Sequence, residues 1–318
     1  MFARILFFLP VLFLSACCSC PSDLTRNIPA LPAPITPAEQ ITRLTQWSRQ
    51  LPRIRATTVT AGVRMDYRDD NNQPKSVNAE GMLQIQQHLN EPVNPDTGAA
   101  PRPDVLLTGT SFDQPAFEAG RNAKEWWFAL KLDSKKAWIG DASSGPDFSR
   151  LAEKGSATIL RADLVPDLLG LSPLPINVSD NVHGAVFAGK VMMLVNDSDG
   201  ANHILIEDPN GGLYPFIARE IVVDRRSGLI SEVRLYNASG ILAVRSQLAD
   251  YKPVTYASGV TPVSPAPMFP RKVTVTYPAQ FLTVALQFDE AQIRASFSPV
   301  VFATPDFRSQ GLRIMTDQ

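Results

Sequence analysis

Arg219-Glu220-Ile221-Val222-Val223-Asp224, Arg225-Arg226-Ser227-Gly228, Leu229-Ile230-Ser231-Glu232-Val233-Arg234-Leu235-Tyr236 and Asn237-Ala238-Ser239-Gly240 follow one another without a break. Two apolar-rich runs are each closed by a short polar segment ending in glycine, and a third run extends from Ile241 to Tyr251. Val233 and Leu235 alternate with Glu232, Arg234 and Tyr236. This period of two places successive side chains on opposite faces of a strand. Short turns between such runs make consecutive strands antiparallel neighbours. The stretch predicts a meander with one buried face.

The same period recurs in both directions. Val59, Ala61, Val63, Met65 and Tyr67 alternate with Thr58, Thr60, Gly62, Arg64 and Asp66, and Leu83 and Ile85 alternate with Gln84 and Gln86. Trp126, Phe128, Leu130 and Leu132 alternate less cleanly with Trp127, Ala129 and Lys131. Further strands are expected at 190–195, 202–207, 217–223, 272–277 and 281–288, with Leu282, Val284, Leu286 and Phe288 of the last on one face. Asn196-Asp197-Ser198-Asp199-Gly200 and Asp208-Pro209-Asn210-Gly211-Gly212 read as turns. A sheet of roughly ten or eleven strands must curl or close to manage its edges.

Helices are few. Thr36-Pro37-Ala38-Glu39 has the capping residue, proline and glutamate of a helix start, Ile41, Leu44, Trp47 and Leu51 form a stripe, and Pro52 ends it. Shorter helices are expected at 146–152 and 161–169, the second with Leu164, Val165, Leu168 and Leu169 on one side and Gly170 just beyond. The expected fold class is α+β: a strongly curved antiparallel sheet, or incomplete β-barrel, with helices covering its concave face, in a single domain over 36–318.

The chain begins with Arg4, an apolar run from Ile5 to Leu14, and the small residues Ser15 and Ala16 before Cys17. The run is too short to span a hydrocarbon core of roughly 30 Å and reads as a secretory signal peptide over residues 1–16. Leu14-Ser15-Ala16-Cys17 resembles the lipobox of bacterial lipoproteins, which implies cleavage before Cys17 and acylation of that residue, with palmitate as the anchoring type of chain. Residues 17–35, carrying Pro21, Pro29, Pro32 and Pro34, form an extended tether at up to about 3.1 Å per residue. Cys18 and Cys20, the two other cysteines of three, leave the body without internal disulfides.

The chain has 318 residues, 44% hydrophobic and 19% charged, with Lys+Arg 30 against Asp+Glu 31. This near-neutral balance gives no support to nucleic-acid binding. Its three histidines, His88, His183 and His203, are far apart and form no metal-ligand spacing. No nucleophile elbow or other catalytic signature is present, and the Asp197 turn lacks the bidentate glutamate of a calcium loop. The expectation is a protein that is not an enzyme, with no catalytic residues, metal or cofactor.

The tethered body, leading helix, curved sheet and mid-chain helices resemble the LolA/LolB lipoprotein-carrier superfamily, most closely over 219–240. The resemblance implies a hydrophobic cavity for acyl chains between an incomplete barrel and a helical lid. Inward-alternating positions that would line it are Val59, Val63, Met65, Trp126, Phe128, Val233, Leu235, Val284 and Leu286, with Leu164 and Leu168 on the lid. Burial of an acyl chain is worth about 0.8 kcal/mol per methylene, so such a ligand needs no charge chemistry. The function implied is an envelope lipoprotein, anchored in the outer membrane and facing the periplasm. It would bind lipid or acylated lipoprotein as carrier, receptor or sensor. The alternative is a structural or protein-interaction lipoprotein with an envelope protein partner.

Overall fold

The computed structural model describes residues 56–68, 72–88, 102–132, 135–143, 148, 161–172, 191–196, 200–207, 216–224 and 226–316. The signal peptide, the tether, the helix expected at 36–51, nearly all of 146–152 and the turn at 208–212 lie outside them.

Strands dominate the chain order: β1 (Ala56–Arg68), β2 (Pro74–Gln86), β3 (Asp104–Ser111), β4 (Gln114–Arg121), β5 (Glu125–Leu130) and β6 (Lys136–Asp141) form the first half. After a helical segment come β7 (Val191–Asn196), β8 (Ala201–Glu207), β9 (Ile217–Asp224), β10 (Ile230–Tyr236), β11 (Leu242–Pro253), β12 (Thr255–Tyr256), β13 (Met268–Tyr277), β14 (Leu282–Arg294) and β15 (Arg313–Thr316). They form one sheet in the order β15-β6-β5-β4-β3-β2-β1-β14-β13-β11-β10-β9-β8-β7, with β12 beside β14. Pairing is antiparallel except at β15–β6 and β12–β14. The two halves are stitched where β1 meets β14, with Val63 opposite Leu286 and Met65 opposite Val284. The expected 219–251 meander is present as β9, β10 and β11, with Val233 opposite Ile221 and Ser246.

Among the described residues there are fifteen strands, against the ten or eleven expected. The additional ones, β3, β4 and β6 above all, hide from a period-two reading because glycines occupy their face positions. A Cβ on Gly109 would lie 2.1 Å from the Phe117 ring, and one on Gly140 would lie 2.3 Å from Nε1 of Trp126. An aromatic ring from the neighbouring strand thus covers each glycine, supplying the apolar surface that the glycine lacks. The ragged pattern of β5 has another cause. Trp126 and Phe128 enter the main core, while Trp127 and Ala129 are buried on the opposite face by Phe307 and Leu312 of the C-terminal segment. Leu132 lies beyond the strand and is 38% exposed.

The helical cover also differs from expectation. Among the described residues one segment lies on the concave face, a 3-10 turn at Ala162–Leu164 running into a single α-turn, α1 (Val165–Leu168). Pro166 favours the first turn, and Gly170, at φ +67°, ends it two residues after α1. The segment is shorter than the expected 161–169 helix because the chain turns back at Leu169.

Candidate functional site

Side chains of β1, β2, β3, β4, β5, β6, β8, β9, β10, β11, β13 and β14 converge on one continuous apolar cluster. The segment 161–172 touches β4 and β5 on one side and β10 on the other. Strands so far apart in the sheet order can meet one short segment only from inside the curve. Val63, Met65, Trp126, Phe128, Leu164, Leu168, Val233, Leu235, Val284 and Leu286 all belong to this cluster, at 0–8% exposure. They are packed together, so the hollow is occupied by the chain's own residues. Val59 lies on β1 opposite Ala291 and Leu83, and its side chain falls outside the described residues, as does Cys17.

Charged groups hold this plug in place. The Asp167 carboxylate, fully buried, accepts hydrogen bonds from Arg219 of β9 and from Arg102. Arg102 also donates to the carbonyl of Asp163 at 3.1 Å. Arg161 pairs with Asp163 at 2.7 Å, and its guanidinium lies 5.0 Å from the centre of the Trp126 ring. Ser246 of β11, fully buried, donates to the carbonyl of Leu168 at 2.7 Å. Burial opposes the charge on Asp167, but Arg102 and Arg219 outweigh it and keep the carboxyl below the usual carboxylate range. Neighbouring Arg121 donates to the carbonyl of Pro103, and burial, with Arg102 nearby, lowers its pKa to about 10.

None of these charged residues figured among the expected site residues. A signal was present. Arg219 interrupts the inward series that continues with Ile221, and Asp163 and Asp167 stand four apart in an apolar segment. A charge at a core position demands a partner, because burying it alone costs far more than burying a paired one.

The convex face carries a second polar array. Glu220 of β9 meets His203 of β8 at 2.6 Å and Tyr236 of β10 at 2.5 Å, and Arg234 at 3.1 Å. Glu232 pairs with Arg245 at 2.7 Å and with Arg234. His88 lies 3.1 Å from Asp104. Both described histidines thus sit beside a carboxylate. Two open depressions of about 530 and 540 Å³ run along β2, β1, β14 and β13, lined in part by Arg64, Asp66, Arg68, Lys75 and Lys272. Among the described residues no group of three His, Cys, Asp or Glu could hold a metal ion.

No family profile and no curated sequence matches the chain. Solved structures do. The chain is similar to an outer-membrane lipoprotein-sorting protein domain from Vibrio parahaemolyticus, at 12% identity, TM-score 0.47, over 86% of this chain and 98% of that one. A DUF1329 family protein from Desulfovibrio piger is similar at 11% identity, TM-score 0.47, over 84% and 97%. A LolA superfamily protein from Nitrosomonas europaea is similar at 12% identity, TM-score 0.42, over 82% and 97%. The long, unclosed, mostly antiparallel sheet is read from the chain's own strand pairing.

Proposed function

We propose that the protein is a cell-envelope lipoprotein, anchored through Cys17 in the outer membrane and facing the periplasm, that binds an acyl chain of a lipid or of another lipoprotein. It acts as carrier, receptor or sensor, without catalysis. One observation carries this reading: a single apolar cluster draws side chains from twelve strands, and a plug of about a dozen residues sits on it. The plug is held by its buried side chains, Leu164, Val165, Leu168, Leu169 and Leu171, and by a few polar contacts, without strand pairing to the sheet. When Arg219 and Ser246 release it, Leu164 and Leu168 withdraw and expose the surface against which Val63, Met65, Phe128, Val233, Leu235, Val284 and Leu286 pack. An acyl chain entering there regains the burial that the plug gives up, at about 0.8 kcal/mol per methylene. The exchange is close to neutral, as reversible carriage requires.

The full chain recovered from membranes should carry non-covalent lipid, separable by mass spectrometry from the covalent anchor. It should also bind a fluorescent fatty acid that unlabelled oleate displaces. A protein that holds no lipid and takes up no probe sinks the reading. A second reading is favoured by the polar depressions on β2, β1, β14 and β13: a docking surface for an envelope protein. Capture of such a partner by lipid-free protein, lost on charge reversal of Arg64 and Lys272, would support it instead.

A further inference from the structure

Arg121 is a buried charge without an ion pair. It stands on β4 directly opposite Val105 of β3 and Trp126 of β5, so its side chain shares the concave face with the main core. It is 3% exposed and donates to the carbonyl of Pro103 at 2.7 Å, but no carboxylate lies within ion-pairing reach of it among the described residues. Its Nε is buried without a hydrogen-bond partner, as is Nε of Arg102. Asp163, Asp104 and Asp167 act on it only from a distance, and burial outweighs them. A guanidinium left in such surroundings is costly unless an anion meets it.

Tyr277 of β13 supplies an independent observation from the second half of the sheet. It belongs to the same cluster, is 3% exposed, and its hydroxyl has no hydrogen-bond partner. Buried phenol hydroxyls are normally satisfied. Asp163 and Arg161 of the plug are close enough to act on it electrostatically. Two polar groups on distant strands thus face the plug with hydrogen-bonding capacity that the plug leaves unused.

The plug's own chemistry points to what it stands in for. Residues 161–172 carry Asp163, Asp167 and Arg161, one net negative charge, beside the aliphatic Leu164, Val165 and Leu168. The body of the protein answers with Arg102, Arg121 and Arg219. Once the plug withdraws, these guanidinium groups lose the carboxylates that offset them, and an apolar surface opens beside them. A neutral acyl chain regains the lost burial and leaves the charges unmet. A chain with an acidic head meets both.

We propose that the ligand of the concave face is an anionic amphiphile, an acyl chain ending in a carboxylate or phosphate, with its head held by Arg121, Arg102 and Tyr277. The inference rests on the reading of the concave face as an acyl-chain site and adds the chemistry of the head. Guanidinium groups donate in pairs to carboxylate and phosphate oxygens, and the phenol supplies a further donor. Neutral lipids are rejected because they leave buried donors unpaired. The plug is then an internal substitute that the ligand displaces.

The test measures displacement of Nile red, a neutral dye, from the full chain by oleate, mono-oleyl phosphate and oleyl alcohol. The two acids should act at concentrations lower than the alcohol by roughly tenfold or more, the effect of one charge-assisted hydrogen bond. Arg121→Gln should bring acids and alcohol to near parity, with the alcohol unchanged, and Arg121→Lys should keep most of the preference. Inorganic phosphate in large excess should leave the preference intact, since a free anion does not fill the apolar surface. Equal displacement by oleate and oleyl alcohol in the unsubstituted protein overturns the proposal while leaving acyl-chain binding in place, and needs no variant to fold. A preference undiminished in Arg121→Gln, or abolished by inorganic phosphate, overturns it as well. Displacement by none of the three compounds overturns acyl-chain binding itself, and the proposal with it.

Discussion

Asp167 accepts a hydrogen bond from Arg219 across the hollow of the sheet, the two side chains being 0% and 8% exposed. The contact ties α1 to β9 in a region otherwise filled by aliphatic and aromatic groups. Breaking a buried pair by removing one partner strands the other charge, which costs about 3–5 kcal/mol, whereas replacing both by apolar groups is often neutral. Asp167→Asn should therefore lower the urea midpoint strongly. The double variant Asp167→Leu/Arg219→Met should be less damaging than Asp167→Asn alone, since Arg102, 19% exposed, can turn to water. A double variant at least as unstable as the single would show that the pair contributes net stability rather than location.

The convex array predicts a two-sided pH dependence. Burial works against the Glu220 carboxylate, but bonds from Tyr236 and His203, with Arg234, hold its pKa below the ordinary value. The unfolded chain then takes up its proton first as pH falls. Stability is fully present above the ordinary value of about 4.3 and is lost as pH falls through the depressed one. Tyr236 behaves in the opposite sense: burial and the Glu220 bond raise it to about 12. Its contribution is complete below about 10 and is lost as pH rises through the raised value. Glu220→Gln should flatten the acid limb of a midpoint-versus-pH curve, and Tyr236→Phe the alkaline limb. Unchanged limbs in both variants would mean the array is decorative.

Gly140 is one of the positions in the first half of the sheet that leave no room for a side chain. A Cβ there would stand 2.3 Å from Trp126, whose ring also meets the Arg161 guanidinium at 5.0 Å. Gly140→Val must push the ring off its seat, and overpacking of this kind costs typically about 1–3 kcal/mol. Near-UV circular dichroism should lose tryptophan signal along with the urea midpoint. An intact signal would show that the wall yields elsewhere.

The same residues show why the first half was less legible in the sequence than the second. The 219–251 meander announces itself because apolar and polar residues alternate along β10 and a glycine ends each turn, so alternation and punctuation coincide. At β5 both faces of the sheet are covered, one by the main core and the other by Phe307 and Leu312. Strands buried on both sides do not alternate. Glycines roofed by rings from neighbouring strands erase what pattern remains. The apolar members of the site could be found by period alone, since Val233, Leu235, Val284 and Leu286 have to face inward. Arg219 stands out as a charge in the inward series of β9, but its pairing could not be read, because Asp167 becomes adjacent only once the sheet curls.

Leu164 is the residue through which plug and ligand can be told apart. It is fully buried at the centre of the cluster, and Leu164→Ala should cost about 2–5 kcal/mol through the space left behind. If an acyl chain takes the position that the plug vacates, the truncated protein should bind fatty acid more tightly than the parent, because less of its own substance must be displaced. Ligand should then restore stability by mass action, about 2.7 kcal/mol at a hundredfold excess over Kd. Urea unfolding with and without saturating oleate reads both effects in one experiment. A Leu164→Ala protein that is destabilised and stays so in oleate would mean that the hollow is a core and nothing more, since a filled hollow and an open one respond to the same lost side chain in opposite ways.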